Sequence, residues 1–546
     1  MLSNAEIADR LTSLAQILSL EKENKFKVKA YRRAAKTIRT LSESVDELVR
    51  DDADLTIYAG IGSAISSAIR EIVLTGALKK LETLRTEAPP EVAAINQFPR
   101  LDPRRVLRIY KKLNISSVPE LKEKLESGAI AEKLGSRMAY HVQQALAEAE
   151  AILLPEAQLI AGEIAKYLMN KCGVLRAEVA GEYRRRVEVI RELSFLIETD
   201  NFSGVISKLE KYGGRTPLLS SDATSAVFRL SSGILLRVCI AKQENWGSEL
   251  ILATGSEAHL LKLRPSGDYP TEAAAYKKAG LAFIPPELRE GNDELELAAS
   301  GHLPVLVSVQ DIRGELHAHS TSSDGANTIE AMAMAAKDKG YEYLGITDHS
   351  QSLTIARGVS ERDLWAQIRA IDQINGTLSG IRILKSAEVD ILVDGSLDYP
   401  DSLLSELDYT VCSIHSRFNH GKAAQTERIM RAMDNRYFNI LGHATGRMLL
   451  KRGGYEIDIE RIVEHARKNG CFFEINSNPN RLDVSAEYAR IVREAGVMIA
   501  ITTDAHSIRE MEFLQYGVDQ ARRAGITRQS VLNCLSRAEF QKTIRR

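Results

Sequence analysis

The sequence predicts a multidomain chain of α+β and α/β class, helical at its N-terminus and closing in a distorted (β/α)7 barrel at its C-terminus. Three observations carry that expectation. Apolar residues recur at helical spacing over most of the first 150 residues, and from Ile312 onward short apolar runs alternate with helical stretches. Nine metal-capable side chains then fall at or just beyond the ends of those runs. At 546 residues the chain exceeds one hydrophobic core, and its length suggests roughly three to five domains.

From Ala5 to Leu41 the apolar positions Ile7, Leu11, Leu14 and Leu18 mark one helical face, and "KFKVKAYRRAAKTIR", with Arg32 and Arg33, makes a cationic one. Gly60-Ile61-Gly62 follows and opens a further helix that ends near Gly76. Such a glycine hairpin lets backbone N–H groups approach a phosphate, although a tight interhelical turn explains the same pattern. A second helical block, from about Pro90 to Glu150, has the outline of another hairpin, with Arg100-Leu101-Asp102 at its turn. Residues from about 155 to 265 mix helix with strand-like runs such as "LSFLIET" and "GILLRVCIA", as a small α/β domain would. "FIPPELREGNDELEL" then reads as a boundary segment.

Seven runs follow: "IRGELHAH", "YEYLGITDHS", "IRILKSAEVDI", "LDYTVCSIHS", "FNILGHAT", "CFFEINSN" and "VMIAITTDAHS". Strand and helix alternating in this way predict a parallel barrel, whose functional groups gather at the C-terminal ends of the strands. His317, His319, Asp324, His349, Glu388, His415, His443, Asp504 and His506 occupy those ends, with no candidate at the sixth run. Six of the chain's 11 histidines lie among them, too many in one register for packing alone. Imidazole and carboxylate without thiolate suit Mn²⁺, Zn²⁺ or Fe²⁺ and do not choose among them.

Composition narrows the alternatives. With 44% apolar and 27% charged residues the composition is that of an ordinary folded protein and argues against wholesale disorder. Lys plus Arg (72) and Asp plus Glu (73) give a formal charge of −1, so any nucleic-acid contact must come from local patches. The five cysteines form no CxxC pair, which argues against a zinc ribbon or a disulfide framework. No run has the length of a membrane span, the N-terminus lacks the form of a signal peptide, and a cytoplasmic, nucleoid-associated location is expected.

The strings "HAH", "SDG", "TDHS", "AEVDI", "SIHS", "GHATGR" and "TDAHS" resemble the PHP (polymerase and histidinol phosphatase) domain of metal-dependent phosphoesterases, over nearly all of 313–546. The resemblance implies up to three divalent ions, Mn²⁺ favoured. His317, His319, Glu388 and Asp504 would hold one, Glu388, His415 and His443 a second, and Asp324, His349 and His506 a third. A hydroxide on such an ion, its pKa lowered towards roughly 7, is the expected nucleophile. Asp348 and Asp390 are candidates to orient ligands, and Arg417, Arg447 and Arg481 to clamp phosphate oxygens.

The first 310 or so residues resemble the core of family X DNA polymerases, through "FKVKAYRRAA", "GIGSAI", "VAGEYRRR", "NWGSELILATGSEAH" and "IPPELRE". That resemblance implies a lyase-like helical domain at 1–90, a second hairpin or fingers at 91–150, a nucleotidyltransferase-like palm at 151–265, a thumb-like segment and linker at 266–312, and the PHP domain at 313–546. Residues that polymerisation needs are replaced. Glu182 stands where the family has a serine that grips triphosphate, Glu192 and Ser194 replace an Asp-x-Asp pair, and Arg237 takes the place of a third aspartate. Ala68 replaces the lyase lysine. Losing those carboxylates should abolish two-metal nucleotidyl transfer.

Gly60, Gly62, Arg32, Arg33, Arg184 and Arg185 remain as expected DNA contacts. The expectation is a monomeric, metal-dependent 3′→5′ DNA exonuclease of repair that acts on gapped DNA or 3′ ends, with no membrane partner. The rival readings are an active gap-filling polymerase, a small-molecule phosphatase of the histidinol-phosphatase type, and a DNA-end-binding scaffold.

Overall fold

The computed structural model describes residues 2–20, 24–87, 112–113, 118–135, 139, 142 and 151–545. The Arg100-Leu101-Asp102 turn and most of the expected second hairpin lie outside them. The described residues form two compact units. The first falls within Met1–Arg184, Val189–Ser256 and Arg264–Ala279, the second within Arg185–Glu188, Glu257–Leu263 and Gly280–Arg546. The expected thumb-like segment is thus divided near residue 279. Among the described residues, no helix is long and apolar enough to cross a membrane.

The first unit opens with helices α1 (Asn4–Leu20), α2 (Lys25–Thr40), α3 (Val45–Arg50) and α4 (Ser63–Thr75). Ile7, Leu11, Leu14 and Leu18 of α1 are buried against Ala34 and Ile38 of α2 and Ile69 of α4. The period-3.6 stripe read from the sequence is therefore this core. Ser44 caps α3 by accepting from Glu47 N, and Asn24 caps α2 by accepting from Phe26 N.

A five-stranded sheet completes the unit: β1 (Arg176–Ala180), β2 (Glu192–Glu198), β3 (Leu218–Ser221), β4 (Ser225–Arg229) and β5 (Leu235–Ile240). Their spatial order is β1-β2-β5-β4-β3, with β2 and β5 parallel and the other pairs antiparallel. This register sets Ser194 directly beside Arg237.

In the second unit, β6 (Gly314–Ala318), β7 (Tyr343–Ile346), β8 (Arg382–Asp390), β9 (Tyr409–Ser413), β10 (Ile440–Leu441), β11 (Phe472–Asn476) and β12 (Ile499–Thr502) lie side by side in chain order. All neighbouring pairs are parallel. A bridge between Ala318 and Ala505 closes the ring, through His319 N donating to Ala505 O at 2.9 Å and Ala505 N to His317 O at 3.3 Å. All seven expected strands are present.

Each strand reads as a continuous apolar run because the barrel buries both of its faces. Outward residues such as Ile346, Val389 and Ile501 pack in a large core with Met332, Leu364 and Val518. Inward residues Leu316, Tyr343, Leu384, Tyr409, Ile440 and Phe472 meet Phe540 and Ile544 of the last helix, Arg537–Ile544. Tyr343, Tyr409 and Phe472 are first residues of their strands, so Phe540 fills the N-terminal end of the barrel. Polar chemistry is left to the opposite end.

Candidate metal centre

Six of the seven strands deliver a candidate ligand at, or a few residues beyond, their C-terminal ends. Glu388 is the hub. It is 1% exposed, and neither carboxylate oxygen accepts a hydrogen bond. Its Oε1 lies 3.0 Å from His443 Nε2 and 3.4 Å from His415 Nε2. Its Oε2 lies 2.7 Å from His349 Nδ1, 3.5 Å from His317 Nε2 and 3.7 Å from His319 Nε2. Asp504 Oδ1 is 3.1 Å from His319 Nε2 and 3.5 Å from His317 Nε2. Asp324 Oδ1 is 3.3 Å from His506 Nε2 and 3.6 Å from His349 Nε2.

Three sets of atoms lie within 4.8 Å of one another: His317, His319 and Asp504; His349, Glu388 and His415; and His319, Asp324, His349 and His506. The geometry therefore brings all nine side chains together, with His319 and His349 each shared between two sets and His443 joined through Glu388. A buried carboxylate without hydrogen bonds costs several kcal/mol unless a cation meets it. The mixed nitrogen and oxygen donors around Glu388 fit a divalent metal. Among the described residues, every cluster able to hold one lies in this barrel.

Electrostatics follow from that crowding. Burial alone would raise Glu388, yet His349, His415 and His317 outweigh it and hold the carboxyl well below its usual range. Burial alone would lower His415, but Glu388 and Asp390 push it up to about 10. His506 rises to about 9, the penalty of burial outweighed by Asp324 and Asp504. His319, buried and facing His349, falls to about 4.

A further set of partners orients the rings. Asp390 Oδ1 is 3.0 Å from His415 Nδ1, which turns Nε2 towards Glu388. Asp348 does not touch the His349 ring; it accepts from Ser320, Ser323 and Gln367 and so ties the loop after β6 to its neighbours.

The sequence reading missed Glu474. It is fully buried on β11, the strand with no candidate ligand. Its Oε1 is 2.5 Å from His317 Nδ1 and accepts from Thr502 Oγ1 at 2.6 Å, and its Oε2 accepts from His443 N at 2.5 Å. Asn476, two residues on, donates to Asp504 Oδ2 at 3.1 Å. The signal lay in "CFFEINSN", where Glu474 and Asn476 share one face of a strand whose other positions are apolar.

The arginines divide. Arg417 is exposed, with φ of 56°. Arg481 Nε lies 3.6 Å from Asp504 Oδ2, at the rim of the cluster. Arg447 instead donates to the carbonyls of Arg481 and Leu482 and to Glu188, so its guanidinium faces the protein.

In the first unit, Arg32 and Arg33 are exposed on α2. Gly60 has φ of +85°, and a Cβ there would come 2.8 Å from Arg33 Cγ, so the hairpin needs glycine beside that arginine. Gly62 precedes α4 with no side chain capping it. Arg184 makes a bidentate pair with Glu272, at 2.7 and 2.8 Å, and is only 17% exposed. Arg185, 12% exposed in the second unit, pairs with Glu290. Little of either remains to meet a phosphate.

At the positions expected to carry polymerase carboxylates, Arg237 grips Glu192 through two bonds, of 2.7 and 2.9 Å, and Ser194 Oγ donates to the same carboxylate at 3.0 Å. Glu182 turns back to accept from Arg191 N and Glu192 N. Ala68 is buried on α4.

Comparison with known proteins adds four findings. A family model described as a helix-hairpin-helix domain matches residues 2–78, and one described as a PHP domain matches 315–478. The chain is 30% identical across 230 residues to a protein of Thermoanaerobacter sp. (strain X514) named "Probable phosphatase", covering 40% of this chain and 89% of that one. It is also 33% identical to the "DNA polymerase/3'-5' exonuclease PolX" of Bacillus subtilis (strain 168), across 99% of both chains. A likeness running the full length of both proteins, together with the hairpin and PHP domains matched in this chain, makes this chain a member of the family X DNA polymerases that carry a C-terminal PHP domain.

Proposed function

We propose that the chain is a divalent-metal-dependent 3′→5′ DNA exonuclease of repair, its chemistry confined to the barrel and its polymerase-like half retained to hold DNA. The observation that carries this reading is Glu388, a buried carboxylate ringed by imidazoles and bonded to none of the protein's own donors. His317, His319, Asp504 and Glu388 would hold one ion, Glu388, His415 and His443 a second, and Asp324, His349 and His506 a third, Mn²⁺ being favoured. The metals would supply a nucleophile at neutral pH and charge stabilisation for the attacking and leaving oxygens.

The chain's own residues do the rest. Glu474 and Asp390 fix the ring orientation of His317 and His415. Arg481, 3.6 Å from Asp504, and exposed Arg417 would meet phosphate oxygens of the DNA. Arg32, Arg33 and the Gly60–Gly62 hairpin would grip the sugar-phosphate backbone. The Glu192–Arg237 pair supports the loss of nucleotidyl transfer, because a guanidinium occupies the charge that Mg²⁺ would need.

The test offers purified protein Mn²⁺ with 3′-recessed and single-stranded DNA. Nucleotide release that disappears in His317→Ala/His319→Ala is the expected result, and release that persists there would refute the assignment. Primer extension with dNTPs should be absent; extension that Glu192→Ala abolishes would restore the polymerase. The phosphatase names among the relatives that match about two fifths of the chain favour a second reading, hydrolysis of a small phosphomonoester. Faster turnover of histidinol phosphate than of DNA ends would decide for it.

A further inference from the structure

The segment Arg185–Glu188 packs with the second unit, and its charged side chains are all met there. Arg185 pairs with Glu290 at 3.2 Å, and Arg186 lies 3.9 Å from Asp519. Gln520 donates to the Arg186 carbonyl at 3.0 Å. Glu188 is held between two guanidiniums, Arg447 Nη1 at 3.2 Å and Arg523 Nη1 at 2.8 Å. Burial alone would raise its carboxyl, but the two arginines outweigh that and hold it below its usual range. Glu188 is therefore an ionised, pinned side chain.

Arg447 has donors to spare, and they go elsewhere. Its Nε donates to Arg481 O at 2.9 Å and its Nη2 to Leu482 O. Both carbonyls belong to the loop after β11. There Arg481 N and Leu482 N fold back onto Asn478 O, at 2.7 and 2.9 Å, and Leu482 takes φ of +41°. A leucine in that region is strained, so the loop depends on bonds from outside it. What the loop presents is Arg481, 3.6 Å from Asp504.

We infer that Glu188 is a positioning residue for the metal centre. It fixes Arg447, Arg447 holds the Asn478–Asp483 loop by two carbonyls, and the loop aims Arg481 at the edge of the cluster. The part concerning catalysis rests on the nuclease reading above. The barrel's phosphate-facing arginine would then be set by a residue outside 313–546.

The test uses the full-length chain carrying Glu188→Gln, which keeps the shape and removes the charge. Hydrogen exchange at the Arg481 and Leu482 amides should accelerate by about tenfold or more, with the strands β6–β12 unchanged. Unchanged loop protection overturns the proposal. Arg447→Lys keeps a cation beside Glu188 but loses the fork to the two carbonyls, and should loosen the same amides if Glu188→Gln fails to fold. In the Mn²⁺-dependent DNA assay, Glu188→Gln should lower kcat/KM by about tenfold or more at unchanged bound Mn²⁺. Combined with Arg481→Ala it should cost no more than Arg481→Ala alone. Multiplying losses would overturn the route through Arg481. Exchange needs no turnover, so a wild-type protein that released no nucleotide would remove the nuclease reading while the loop result still decided the role of Glu188.

Discussion

At the scale of single residues, charge decides most of what the barrel can do. Glu388→Gln keeps the volume but removes the anion that five imidazoles face, and bound metal measured by elemental analysis should fall together with nucleotide release. Glu474 bonds the far nitrogen of the His317 ring and the His443 backbone N–H, so Glu474→Gln should retain the fold yet weaken metal affinity by about 10- to 100-fold. The raised histidines set a pH dependence. His415 and His506, up at about 10 and about 9, carry protons at neutral pH that a metal must displace. Metal affinity should therefore rise with pH from 7 towards 9, by up to about tenfold per pH unit for each proton released. Calorimetry in buffers of different ionisation heat reads that release, and pH-independent affinity would contradict it. The nine side chains of the cluster were legible because histidines at strand ends have no packing reason to recur. Glu474 was not singled out, since the polar face it shares with Asn476 reads as solvent-facing until its burial is known. Arg184, Arg185 and Arg447 read as phosphate contacts because Glu272, Glu290 and Glu188 are far away in sequence.

At the scale of elements, the rhythm of runs was enough to expect seven parallel strands, even where β10 keeps only Ile440 and Leu441. It could not show what fills the barrel. Phe540 comes from "RAEFQKTI", a short helical string with no tie to the βα pattern, yet its ring packs on Tyr343 and Tyr409 with centroids 5.4 and 5.5 Å away. Asn439 anchors the end of the same helix by donating to Ile544 O at 2.9 Å. Phe540→Ala should leave a cavity under the strands and cost about 3–5 kcal/mol in urea unfolding. The metal centre occupies the other end of these strands, so metal content of the folded variant should change little. A variant of wild-type stability would show that the helix caps the barrel without supporting it.

At the scale of the whole molecule, the proposed function asks the first unit to hold DNA and the barrel to cut it. A chain of formal charge −1 cannot attract DNA as a body, so capture has to come from a patch. The exposed Arg32 and Arg33 beside the Gly60 hairpin are the best-placed cations for it, while Arg184 and Arg185 are already neutralised by carboxylates. Such contacts release counterions, and each one steepens the salt dependence of binding by about 0.9 in log–log slope. Arg32→Ala/Arg33→Ala should therefore weaken DNA binding without regard to sequence and flatten that slope by about 2. The deficit should fade as salt rises, because the missing term is electrostatic. Fluorescence anisotropy with labelled gapped duplex across a salt series measures both quantities. An unchanged slope would move the DNA-holding surface off α2, and an unchanged slope with undiminished nucleotide release would leave the barrel to capture its substrate alone.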